Sequence, residues 1–200
     1  PVIVVVHEIF GLSSWVRGVA DQLAADGFIA IAPDLLTMKN LPDGPDSVLA
    51  PLATAAIRTL DPARVHRQLD AVGRSGMSLP PAEKNYGIVG FWCVGEFSFA
   101  HAVHFPSLGA SVVYYGTSPP TADLASVRVP VLGLYGGSDA RVDATIAPAD
   151  SAMRTLNRIY EHVVYPGAGH GFLRQQSSME GANLAAARAA WPATVARFRK

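Results

Sequence analysis

Five stretches of this chain are almost wholly apolar, and they limit its fold more than any other feature. They are "VIVVV" (2–6), "FIAIA" (28–32), "YGIVGF" (86–91), "GASVVYYG" (109–116) and "VPVLGLYGG" (129–137). A strand with one wet face alternates apolar and polar residues. Short unbroken apolar runs bounded by Gly and Pro read instead as strands covered on both faces, as in a parallel sheet. Helix signals lie between them. Residues 13–26 place Trp15, Val16, Val19, Leu23 and Ala24 on one stripe, with Ser13 or Ser14 to start the helix and Gly27 to end it. "DPARVHRQLDAVGRSG" (61–76) has Asp61 as cap, Pro62 in the first turn and Gly76 near the end.

Further helices are predicted over 95–104, near 145–157 and from about 179, with Pro192 expected to kink or divide the last. "RIYEHVVYP" (158–166) reads as one more strand. Residues 35–60 show no strong period and read as a long excursion with short helical pieces. Strands alternating with helices predict an α/β fold, a mostly parallel sheet with helices on both faces. Residues 1–200 form a single domain in this reading, since 200 residues, half of them apolar, suffice for one core.

Composition excludes several functions. Sixteen basic and sixteen acidic residues cancel, and no basic stripe points to nucleic acid. No apolar run reaches the roughly eighteen residues needed to span a bilayer. A single Cys forms no intrachain disulfide, which fits a reducing compartment, so a cytoplasmic location is expected. The chain opens at "PVIVVV" with no Met or signal peptide. An N-terminal piece, with any targeting segment, is therefore expected to be missing.

In parallel sheets ligands gather at the carboxyl ends of the strands. Glu8, Cys93, Tyr115, Asp139 and His170 all fall just after predicted strands. Cys93, in "GFWCVGE" (90–96), sits where a strand meets a helix, and free helix N–H groups there favour the thiolate. The alternative is a buried, inert thiol. His170, in "YPGAGHGF" (165–172), lies between two glycines on a loop, a setting for a general base. Asp139, in "LYGGSDARVD" (134–143), either orients that imidazole or forms an Asx-turn or helix cap. Nucleophile, acid and histidine in that order are the order of α/β-hydrolases.

With these residues in place the chain resembles the dienelactone hydrolase family, a branch of the α/β-hydrolase fold with a Cys nucleophile. "VVVHEIFGL" (4–12), "APDLL" (32–36), "YGIVGF", "VVYYG", "YGGSDARV" (135–142) and "GAGHGFL" (167–173) are similar to that family's segments in order. By this resemblance the family's N-terminal strand pair is expected to be missing from the chain. The resemblance implies that Glu8 helps generate the thiolate when substrate arrives. It implies that the N–H groups of Ile9 and Val94 form an oxyanion hole, and that Arg174 grips a substrate carboxylate. Without it, Glu8 reads as a solvated turn residue and Arg174 as a surface charge. A second substrate-binding arginine falls in the divergent 40–60 stretch, where Arg58 is the candidate. Tyr115 lines the pocket or simply packs. The implied substrate is a small anionic lactone such as dienelactone, giving maleylacetate, or a simple carboxyl ester. No cofactor is implied, and the chain is expected to be a monomer or small homo-oligomer.

The elbow departs from the family's Gly-x-Cys-x-Gly. Gly95 stands two after Cys93, but Phe91 stands two before it. In one register the strand carries an extra residue as a bulge and Cys93 crowns the turn. In the other, Trp92 takes the elbow and Cys93 points elsewhere. A Trp at a positive-φ turn is costly, which favours the first. The second makes the chain a catalytically impaired or non-catalytic relative that binds small molecules. No metal is expected: His101 and His104 lie three apart on a predicted helix but have no third ligand at suitable spacing. No Gly-rich phosphate loop with a Lys appears, so nucleotide binding is not expected.

Overall fold

The apolar runs become strands. A computed structural model describes residues 1–92, 96–105 and 107–200. β1 (Val2–Val6), β2 (Ile29–Ile31), β3 (Tyr86–Phe91), β4 (Leu108–Tyr114), β5 (Val131–Gly136) and β6 (Tyr160–Tyr165) form one sheet. Its order is β2-β1-β3-β4-β5-β6, and every pairing is parallel. The helices are α1 (Ser14–Ala25), α2 (Asp46–Ile57), α3 (Pro62–Met77), α4 (Glu96–His104), α5 (Ala140–Thr155) and α6 (Ala182–Phe198).

Strand pleating divides β1 between two cores. Val2, Val4 and Val6 pack with Leu69 of α3, Phe99 of α4 and Ile146 of α5. Ile3 and Val5 pack with Val16 and Leu23 of α1 and Phe198 of α6. All five β1 side chains are buried. At about 1.5–3 kcal/mol per buried side chain, they outweigh the roughly 1–2 kcal/mol per residue of backbone ordering.

From β1 the chain crosses to β2 on one side, then returns to β3 on the other. That reversal opens a crevice at the carboxyl ends of β1 and β3, where open α/β sheets bind ligands. The turn after β1 and the turn after β3 both fall there.

Three helices differ from the sequence reading. Residues 46–57 form one 12-residue helix, α2, in place of short pieces. Its apolar residues are spread round the axis and only Ala53 is buried, so it shows no helical stripe. α5 begins at Ala140, five residues early, because Asp139 O already accepts from the N–H groups of Val142 and Asp143. α6 runs through Pro192 undivided. The carbonyl that loses its helical donor there belongs to Arg188, an exposed residue, so water can take that bond.

Candidate active site

Two glycine loops bring the acid and the base together. Gly137 N–H donates to Tyr165 O and Ser138 N–H to Ala168 O, each at 2.9 Å. A Cβ on Gly136 would stand 2.5 Å from Gly169 O and 2.6 Å from Ala168 O, so the loops approach this closely only with glycine there. Asp139 is 9% exposed, and its Oδ2 meets Nδ1 of His170. It makes no side-chain cap on α5, so the cap alternative is set aside. With Nδ1 engaged, the imidazole keeps Nε2 for proton transfer.

The histidine loop is also tied from behind. Asn183 of α6 is buried; its Oδ1 accepts Gly169 N–H and its Nδ2 donates to Gln175 O, both at 2.8 Å. The sequence reading passed over Asn183. Its one signal was an amide among the small apolar residues that open α6.

Across the crevice, residues 8–11 make a tight turn. Gly11 N–H donates to Glu8 O at 3.1 Å, and Gly11 takes φ +75°, a conformation suited to glycine. Glu8 is fully buried and its carboxylate pairs with Nη1 of Arg174. The Arg174 guanidinium also lies over Phe10, 4.8 Å from the ring centre, and 5.7 Å from that of Trp15. Burial lowers its pKa from the ordinary arginine value. Neither residue is the solvated turn or surface charge that composition alone suggests. Arg58, at the end of α2, is exposed.

The β3 turn answers part of the register question. Pairing with β1 is regular to Val6↔Gly90 and with β4 to Phe91↔Tyr114; the one irregularity lies at Tyr86/Gly87. Among the described residues, β3 therefore shows no bulge at its elbow end. Trp92, the first residue after the strand, has φ +64°. Its indole stands edge-on to His170, with ring centres 4.4 Å apart. This corrects the reading that propensity would keep Trp out of that conformation: the regular ladder through Phe91 and contacts to His170 and Phe10 override the local cost. Cys93 and Val94 lie outside the described residues.

Tyr115 is fully buried with φ +43°, and its ring centre is 5.4 Å from that of His170. Its hydroxyl has no protein partner among the described residues. Away from this site, His66 of α3 joins His101 and His104, with ring centres 5.5 Å from each. Among the described residues, no three potential ligands come together to hold a metal. No helix among them is long and apolar enough to cross a membrane.

Comparison with known proteins decides the family. Residues 1–200 match the model of the dienelactone hydrolase family. The chain belongs to that family. A Salmonella typhimurium relative named "Putative carboxymethylenebutenolidase" is 32% identical over 183 residues, covering 86% of this chain and 67% of the relative. A Methylorubrum extorquens relative of the same name is 33% identical over 187 residues, covering 86% of this chain and 63% of its own. The crystal structure of a Klebsiella pneumoniae "Putative Dienelactone Hydrolase" superposes with a TM-score of 0.85 at 29% identity, over all of this chain and 87% of that one. The parallel sheet flanked by helices is thus the fold of dienelactone hydrolases, and the family is one of hydrolases.

Proposed function

We propose that this chain hydrolyses a small ester or enol-lactone through Cys93, His170 and Asp139. The Asp139–His170 pair at the sheet rim carries this reading, because an imidazole held at Nδ1 by a buried carboxylate is an acid–base catalyst in search of a nucleophile. Nε2 takes the Cys93 thiol proton and the thiolate attacks the carbonyl carbon. The Ile9 and Val94 N–H groups hold the resulting oxyanion. Collapse expels the alkoxide or enolate, which receives the proton from His170, leaving an acyl-thioester. Water, deprotonated by His170, then attacks that thioester and releases the acid and the thiol.

The Glu8–Arg174 pair supports an anionic substrate. A substrate carboxylate reaching Arg174 competes with Glu8 and frees the Glu8 carboxylate to assist the thiol. Tyr115 packs beneath the imidazole and limits its movement. Nothing in this chemistry calls for a cofactor.

Trp92 favours a second reading. Its indole packs against His170, with ring centres 4.4 Å apart, beside the imidazole that an attacking group must reach. Turnover needs the indole to leave that place so that a thiol can reach Nε2. A chain in which the indole stays binds the family's ligands without hydrolysing them. Turnover of a chromogenic ester, followed while iodoacetamide alkylates Cys93, tests the two. The hydrolase loses activity in step with alkylation and in the Cys93→Ala variant; absence of turnover before either treatment defeats it.

A further inference from the structure

The Glu8–Ile9 peptide is gripped at its carbonyl end. Glu8 O accepts Gly11 N–H at 3.1 Å and lies 2.9 Å from Nδ1 of His7. His7 is fully buried, and its Nε2 lies 3.2 Å from the backbone N–H of Leu35. A backbone N–H can only donate, so Nε2 is the acceptor and the ring proton sits on Nδ1. His7 therefore donates to Glu8 O. Burial lowers its pKa to about 4, against the smaller opposing pull of the Asp34 carboxylate 3.9 Å from Nε2. The ring is neutral at ordinary pH.

In a trans peptide the N–H points away from the C=O of the same unit, and no cis bond occurs among the described residues. Two donors on Glu8 O thus fix the direction of the Ile9 N–H. Among the described residues that N–H donates to no protein acceptor. A turn closed by Gly11 alone leaves the peptide plane free to rock. A ring sealed in the core and held at both nitrogens does not.

We propose that His7 is a positioning residue whose Nδ1–H holds the Glu8–Ile9 peptide plane so that the Ile9 N–H points at the developing oxyanion. The inference rests on the hydrolase reading of the same site. Oxyanion donors act mainly in the transition state, so misaiming one lowers kcat more than it raises KM.

Two substitutions separate the two ring nitrogens. His7→Gln reaches Leu35 with an acceptor but removes the donor to Glu8; His7→Asn keeps that donor and drops the acceptor. For ester turnover, His7→Gln is expected to lose about tenfold or more in kcat with KM within about twofold, while His7→Asn stays within about threefold. Tm is measured for both, and 15N NMR of the natural chain reads the tautomer whatever the variants do. Equal kcat losses, losses that follow Tm, or a proton found on Nε2 overturn the role of His7 alone. A natural chain with no ester turnover sinks the hydrolase reading and this role with it.

Discussion

The Trp92 indole and the His170 imidazole meet edge to face, their planes at 80°. The contact is tight enough that a Cβ on Gly171, at φ +80°, would stand 3.1 Å from the indole Nε1. Deleting Trp92 restores the spacing Gly-Phe-Cys-Val-Gly and removes the indole from beside the imidazole. A misplaced reacting group commonly costs about a hundredfold, so the deletion is expected to raise kcat on a chromogenic ester by tenfold or more. A folded deletion variant with unchanged or lower kcat would show that the indole obstructs nothing.

Gly136→Ala tests the seam between the acid and base loops. Its Cβ would drive into two backbone oxygens that cannot rotate away. Overpacking of this kind costs about 1–3 kcal/mol, and here it separates Asp139 from His170. Denaturant unfolding should show that loss, and kcat should fall by more than the stability change alone explains. Full activity in a destabilised variant would place the seam outside catalysis.

Arg174→Met leaves the Glu8 carboxylate buried without its partner. Breaking one side of a buried pair costs about 3–5 kcal/mol, and the low end applies because Arg174 is 29% exposed. The double variant Glu8→Gln/Arg174→Met should recover most of that stability in urea unfolding. If the double variant is no more stable than Arg174→Met, the pair contributes little.

Acid should destabilise the fold through three buried histidines. Burial lowers the pKa of His7 and His66 to about 4 and that of His101 to about 3. One set of protons satisfies the α3–α4 cluster: His66 Nδ1–H donates to His101 Nδ1, His101 Nε2–H to the Tyr86 hydroxyl, and Tyr86 O–H to Asp70. Every member of that chain except the carboxylate is neutral. Unfolded histidines protonate near 6.5, so below that pH the unfolded chain binds more protons than the folded one. Stability therefore falls as pH drops from about 6.5 towards 4, by up to about 1.4 kcal/mol per unit for each histidine. Urea unfolding at stepped pH measures the slope, and His66→Leu should make it shallower. An unchanged slope in that variant would remove His66 from the account.

Most of the sheet was legible because five of its strands lie in almost wholly apolar runs; β6, at the sheet edge, carries Glu161 and His162 and is exposed at Glu161, Val163 and Val164. Asp139 and His170 were legible because glycines beside a strand end free the backbone for display. α2 was not, since a helix that buries only Ala53 has no stripe to read. The conformation of Trp92 was misread for a different reason: Trp at a left-handed φ is disfavoured locally, and only the regular β3 ladder through Phe91, with contacts to Phe10 and His170, outweighs that. His7 and Asn183 act through partners 28 and 14 residues away, which no local pattern encodes.

The central claim is that a thiol does the chemistry, and a trapped intermediate tests it most directly. The chain is mixed with a chromogenic ester, quenched in acid within the first turnovers, and its intact mass and peptide masses are read. The account predicts one acyl group added to Cys93 and none in Cys93→Ala. Turnover with no adduct on residue 93, or with the acyl group on another side chain, would contradict it.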